Sequence, residues 1–171
     1  MRAYLVAAAV TSLLAAAPSS LAGETRGPII HGYPYAPRCP RAGVKDVVDR
    51  WGMYACNCTS YVAWALEVNG ERIDWFIPGA MNAWNWPHVA RLSGLVVDRD
   101  PTVGSVAAWP HLARPFGHVA YVTGVPRPGF VDVAEYNLPG PDEKQTFVFD
   151  TRRDVATAGA VFIHVSRRAH G

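Results

Sequence analysis

Lysine is almost missing from this chain. Among 171 residues only Lys45 and Lys144 are lysines; the other basic residues are arginines, and the 16 basic side chains face 14 acidic ones. A formal net charge of +2 excludes a strongly basic nucleic-acid binder and an acidic tail protein, so no nucleic-acid partner is expected. Low-complexity stretches are missing too, because the 14 prolines and 15 glycines are spread along the chain. No internal repeat is present. Metal-ligand spacing is also lacking. His31, His88, His111, His164 and His170 form no short helical or ribbon pair, and Asp46 and Asp49 are too sparse for a calcium loop. Neither a metal nor another cofactor is expected. No apolar run reaches the ~20 residues that a bilayer-spanning helix needs.

The longest apolar run, Ala3 to Ala17, has the character of a secretory signal instead. Arg2 gives a positive start, and only Thr11 and Ser12 interrupt the run. Ser20-Leu21-Ala22 puts small residues where a signal peptidase reads, with cleavage before Gly23. Residues 1–22 are therefore expected to be a leader. The product is then secreted, to a cell wall or periplasm, as a monomer with no stable membrane contact. A length of this order suits one domain with a real core.

Export changes how the three cysteines, Cys39, Cys56 and Cys58, are read. In an oxidising compartment thiols pair, and an odd count leaves one over. Cys56 and Cys58 are too close in sequence for an easy bridge. A Cys39–Cys56 bridge closes a loop worth ~3 kcal/mol in the chain-entropy model and leaves Cys58 free. Cys39–Cys58 is the alternative on parity alone. A free Cys58 reads either as an inert buried residue or as a reactive thiol.

Residues 23–41 are rich in Gly and Pro and read as an extended arm before a domain over residues 42–168. An amphipathic helix is expected from Cys58, capped by Asn57 or Thr59, with Tyr61, Ala65 and Leu66 on its apolar face and a stop at Asn69-Gly70. A second runs from Trp84 or Pro87 to Ser93, closed by Gly94. Strands follow: Leu95 to Val97, Val103 to Trp109, Gly117 to Gly124, Phe130 to Asn137, Gln145 to Phe149 and Ala160 to Val165. Helices first and consecutive strands afterwards indicate an α+β fold, N-terminal helices packed on an antiparallel sheet of about six strands.

The hairpin between the third and fourth of these strands carries the chemistry. A turn at Val125-Pro126-Arg127-Pro128 would set Val122 opposite Val131, Ala120 opposite Val133 and His118 opposite Glu135. Asn137 falls on the same face, which otherwise reads Ala120, Val122, Val131 and Val133 and is therefore expected to be buried. A carboxylate beside an imidazole at the rim of a core can orient it for proton transfer. Cys58, at a helix N-terminus where partial positive charge favours a thiolate, supplies a nucleophile.

The stretch Asn57-Cys58-Thr59-Ser60-Tyr61-Val62-Ala63-Trp64 resembles the nucleophile helix of the CHAP family, the cysteine, histidine-dependent amidohydrolases/peptidases. Gly104 to Trp109 resembles the strand before the histidine, Gly117-His118-Val119-Ala120-Tyr121-Val122 the histidine strand, and Glu135-Tyr136-Asn137 the acidic and amide positions. Phe162-Ile163-His164 resembles the final strand, so the likeness runs from Trp51 to Val165. It implies a papain-like CHAP fold and cleavage of amide bonds in cell-wall peptidoglycan, either as amidase or as endopeptidase. Carried over, Cys58 is the nucleophile, His118 the general base, Glu135 its orienter and Asn137 a further polar support. Cys39 is then left to pair with Cys56. One departure stands out: Asn57 replaces the glutamine that often precedes the cysteine. Asn57 and the Cys58 N–H are the expected oxyanion donors. Trp109, with Trp86 and Tyr61 behind it, is expected to wall the substrate groove. The competing reading is a non-enzymatic secreted module on the same fold that binds wall fragments or a protein partner.

Overall fold

The computed structural model describes residues 27–39, 47–71, 73–75, 82–140 and 144–168. The leader reading, residues 1–22, lies outside them, as do residues 40–46. Two helices, α1 (Cys58–Val68) and α2 (Trp86–Leu92), precede six strands. These are β1 (Leu95–Asp98), β2 (Val106–Trp109), β3 (His118–Arg127), β4 (Phe130–Tyr136), β5 (Phe149–Ala156) and β6 (Val161–Arg168). They form one antiparallel sheet in the order β1-β6-β2-β3-β4-β5. The expected α+β architecture is present. No helix among the described residues is long and apolar enough to cross a membrane.

Alternation along the strands places one apolar cluster on each face. Val106, Ala108, Val119, Tyr121, Ala134 and Tyr136 join the helices in one, while Ala107, Trp109, Ala120, Val122, Val131, Val133 and Phe162 form the other. His118 and Glu135 share the parity of the second cluster. At the far side of the sheet His164 is buried and held at both ring nitrogens, Nε2 by Asp98 at 2.8 Å and Nδ1 by Thr102 Oγ1 at 3.1 Å. Those bonds tie β6 to β1 and to the turn before β2.

α1 differs from the amphipathic expectation: every residue from Thr59 to Leu66 is buried. A helix apolar on all sides must be covered on all sides. β3 and β4 cover one side. The arm covers another. Tyr33 stacks on Tyr61, Trp64 and Tyr136, and its hydroxyl accepts from the Cys56 N–H and bonds Ser60 Oγ. Asn69 exchanges two hydrogen bonds with the backbone of Ile29, and Tyr61 donates to the Ile30 carbonyl at 2.9 Å. A Gly/Pro-rich segment whose only helical turn among its described residues is the short 3₁₀ piece Ala36–Arg38 thus supplies core to α1. Its end is fixed by a Cys39–Cys56 disulfide, and Cys58 is the free cysteine.

The β3–β4 hairpin is longer than expected. Its turn is Pro128-Gly129, a proline and a positive-φ glycine in the order a type II turn favours. Val122 therefore faces Val133, two residues away from the expected Val131, with irregularities nearer the turn. A slip of two leaves every side chain on its expected face, where a slip of one would have inverted them. β5 is also displaced, to Phe149–Ala156 from the expected Gln145–Phe149. Phe147 takes a left-handed φ of 52° and gives its N–H to Asn137 Oδ1, so residues 145–148 are loop. The true strand, Phe-Asp-Thr-Arg-Arg-Asp-Val-Ala, is polar because it is the edge of the sheet, where charge discourages pairing with other chains.

Gly117 fixes the approach to β3. It has a φ of 75°, and a β-carbon there would lie 2.4 Å from the backbone nitrogen of Trp84. Gly117→Ala is expected to destabilise the protein by at least the ~1–3 kcal/mol of a strained backbone position. The clash with Trp84 adds to that. Urea unfolding of the variant checks this; an unchanged midpoint would show that the 82–85 and 116–118 segments are not held together as described.

Candidate active site

Cys58 opens α1 and His118 opens β3, so the two meet at one end of the sheet. Cys58 and His118 line the same groove, and the nearness of the sulfur is one of the influences on the imidazole. His118 Nε2 lies 2.6 Å from Glu135 Oε2, which leaves Nδ1 for the sulfur, since an imidazole has two nitrogens. His118 and Glu135 are both buried, at 1% and 0% exposure. A carboxylate taken wholly out of water costs several kcal/mol unless it is paired and fully hydrogen-bonded. Arg152, on β5, completes the pairing. Its Nε donates to Glu135 Oε1 and its Nη2 donates to Oε2 at 3.2 Å. The residues follow one another as Cys58, His118, Glu135 and Arg152, with Glu135 buried between neighbours that border the groove.

Charge is poised accordingly. Burial is the largest influence on His118 and pushes its proton off. The Cys58 charge and hydrogen bond, followed by the hydrogen bond and charge of Glu135, outweigh it and raise the imidazole to about 9. For Glu135, burial acts to raise the carboxyl, but the hydrogen bonds and charges of His118 and Arg152 reverse the effect and hold it below the usual carboxylate value.

Asn57 does something other than expected. Asn57 is the N-cap residue of α1 but makes no capping hydrogen bond with its side chain. Its Nδ2 instead faces the Tyr54 and Ala55 carbonyls, each at 3.3 Å, and its Oδ1 accepts from Asn137 Nδ2 at 2.7 Å. An amide with both hydrogens engaged by backbone has none directed at an oxyanion. The Cys58 N–H, a first-turn amide without an intrahelical acceptor, keeps that capacity. Asn137 bridges Asn57 to the Phe147 N–H. It supports the loop that carries the cysteine, and no hydrogen bond joins it to His118 among the described residues.

The groove has two lobes that share Cys58. One, of about 580 Å³, is lined by His111, Leu112, Arg114, Phe116, Gln145 and Arg152 with Cys58 and His118. The other, of about 420 Å³, is lined by Tyr54, Asn82, Phe116, Gln145 and Phe147. None of the three expected groove aromatics borders either lobe. Tyr61 is fully buried under Tyr33 and Tyr136. Trp86 is buried edge-on to Trp75. Trp109 lies behind His118, its cross-strand partner, with ring centroids 6.4 Å apart. The groove residues that sequence reasoning passed over come from two loops. The 110–117 loop carries His111, Leu112, Arg114 and Phe116, and the 137–148 loop carries Gln145. Arg152 was also missed. In Thr151-Arg152-Arg153-Asp154 nothing marks it from its neighbour until β5 is registered on β4.

Titration tests this arrangement. Two-dimensional NMR of the imidazole nitrogens should show His118 titrating near 9. In Cys58→Ala the two largest raising influences disappear, so the midpoint should fall. A native midpoint at or below the ordinary 6.5 would contradict the geometry. The folded value exceeds the unfolded one, so His118 stabilises the fold fully below about 6.5 and loses that contribution as pH rises through about 9. Glu135 has the opposite sign: its contribution is present above the ordinary 4.5 and is lost as pH falls through its depressed value.

Comparison with known proteins assigns the chain to a family. Residues 48–137 match the family model described as CHAP domain. A probable autolysin, LDP, of Staphylococcus aureus (strain NCTC 8325 / PS 47) is 34% identical over 105 residues, which are 60% of this chain and 35% of that protein. Among solved structures, an N-acetylmuramoyl-L-alanine amidase from Staphylococcus aureus superimposes with a TM-score of 0.55 at 21% identity, over 66% of this chain and 31% of that one. That likeness establishes the fold, and the chain spans about a third of the length of each of these relatives. With the family model covering Cys58, His118, Glu135 and Asn137 in order, this chain belongs to the CHAP domain family.

Proposed function

We propose that this chain is a cysteine hydrolase of peptidoglycan that cleaves an amide bond through a thioacyl intermediate on Cys58. The observation that carries the reading is a free Cys58 on the same groove as an imidazole held by a buried carboxylate that Arg152 also clamps. The names of its relatives, an autolysin and an N-acetylmuramoyl-L-alanine amidase, direct the choice of substrate.

In this reading the thiol proton passes to His118 Nδ1 and the sulfur attacks the amide carbonyl carbon. The Cys58 N–H stabilises the negative oxygen that forms. When the C–N bond breaks, the leaving amine takes the proton from His118, and the acyl group remains on sulfur as a thioester. Water then attacks, giving its proton to His118, and the acid departs as the thiol is restored. Glu135 transfers no proton. It fixes the ring so that Nδ1 faces the sulfur and stabilises the imidazolium between the two halves of the cycle. A raised imidazole suits it to receive the thiol proton. We further propose that the enzyme works outside the cytoplasm. The leader-like residues 1–22 and the Cys39–Cys56 bridge support that location.

Mass spectrometry of muropeptides after digestion of purified peptidoglycan tests the function and identifies the bond. New amine and carboxyl termini should appear with the native protein and not with Cys58→Ala. Glu135→Gln keeps the shape and removes the charge. It should lower turnover by ~10²-fold or more, by analogy with orienting carboxylates in other nucleophilic hydrolases, while KM changes little. Full release by Cys58→Ala would overturn Cys58 as the nucleophile, and no release by the native protein would favour the wall-binding module instead.

A further inference from the structure

Five of the six tryptophans are buried, at 8% exposure or less, and the sixth, Trp84, is 50% exposed. It stands beside the groove rather than at a remote surface. The 110–117 loop forms a ridge with the cysteine groove on one flank and, on the other, a cleft of about 390 Å³ lined by Trp84, Pro110, His111, Arg114 and Pro115. His111 and Arg114 border both. Leu112 and Phe116 on the same ridge are exposed at 42% and 51%. An apolar cluster exposed in one place marks a contact surface more often than a stray side chain.

Trp84 is held in position by its backbone. The backbone N–H of Trp84 donates to the Phe116 carbonyl at 3.0 Å, and Gly117 packs so closely that a β-carbon would collide with the Trp84 backbone. Yet among the described residues no ring or hydrogen bond engages the Trp84 side chain, and His111 and Arg114 have no side-chain partner either. The cleft therefore offers a flat apolar face with hydrogen-bond donors at its edge and no carboxylate in its lining. A ligand that fits has an apolar face and an acceptor-rich rim. A pyranose ring with hydroxyl and acetamido oxygens has that form; a metal ion or a cationic peptide does not.

We propose that the Trp84 cleft is a saccharide subsite that seats an N-acetylated sugar of the glycan strand while the attached peptide lies in the Cys58 groove. The occupant rests on the proposed function, since the substrate must carry peptide and sugar together. Trp84 stacks on the ring face, and Arg114 and His111 donate to its oxygens. The enzyme then prefers glycan-bearing peptide to free stem peptide.

The test separates binding from chemistry. Cys58→Ala, which cannot acylate, is titrated with a soluble tetramer of N-acetylglucosamine. Trp84 is the solvent-facing indole, so the sugar should alter tryptophan fluorescence and protect it from acrylamide quenching. Adding Trp84→Ala should weaken binding ~10-fold or more, a loss in the range of a stacked ring, and Trp84→Phe should recover part of it. Thermal melting checks that the variants are folded. In the otherwise native enzyme Trp84→Ala should raise KM for glycan-bearing muropeptide and lower its preference over free stem peptide. No saccharide binding by Cys58→Ala, or equal binding with and without the indole, would overturn the subsite whatever the hydrolysis result. Saccharide binding by a protein that releases nothing from peptidoglycan would overturn the proposed reaction and leave the subsite standing.

Discussion

Glu135 has no solvent exposure, and its neighbours must therefore satisfy both oxygens. The rest of the site follows from that demand. One partner, His118, comes from β3 and the other, Arg152, from β5, so the carboxylate on β4 joins three adjacent strands. Removing Arg152 would leave Oε1 without its donor, at the ~1–3 kcal/mol cost of an unsatisfied buried polar group. The same bonds that secure the carboxylate fix the imidazole ring, and the ring in turn determines where a sulfur must sit to reach Nδ1. α1 begins at that point. Stability and chemistry therefore share one chain of contacts, from an arginine at the sheet edge to a thiol at a helix start.

Much of this was legible in the sequence, for a physical reason. The strand period is two, so His118, Ala120 and Val122 had to share a face, as did Val131, Val133 and Glu135. The hairpin register was misjudged by two residues because Pro126 and Pro128 both look like turn residues. An even error preserves the face, and the His118–Glu135 pair survived it as a diagonal contact. Arg152 was not legible. Edge strands carry charge for reasons unrelated to catalysis, and β5 reads as solvated surface until its ladder with β4 is known.

Aromatic residues show the limit more sharply. Trp84 and Trp86 are two residues apart, yet one is half exposed and the other buried against Trp75. The short 3₁₀ turn Ala83–Asn85 running into α2 separates their directions. No periodicity in Asn-Ala-Trp-Asn-Trp-Pro reveals that turn. The arm was legible only in part. Composition marks residues 27–39 as extended and the cysteines pointed to a Cys39–Cys56 bridge, but only the packed structure shows Tyr33 closing over α1. Asn57 differs again. Its side chain can donate to an oxyanion in principle, but one methylene fewer than glutamine keeps its amide against the Tyr54 and Ala55 carbonyls.

The claim on which the account rests is that the acyl group passes through sulfur. Rapid mixing of the native protein with soluble muropeptide, acid quenching within the first turnover and peptide mass mapping read this directly. The account predicts a transient acyl adduct on the peptide containing Cys58, formed as the amine product is released and absent from Cys58→Ala. Release of amine with Cys58 unmodified at every time point, or an adduct on another residue, would contradict it.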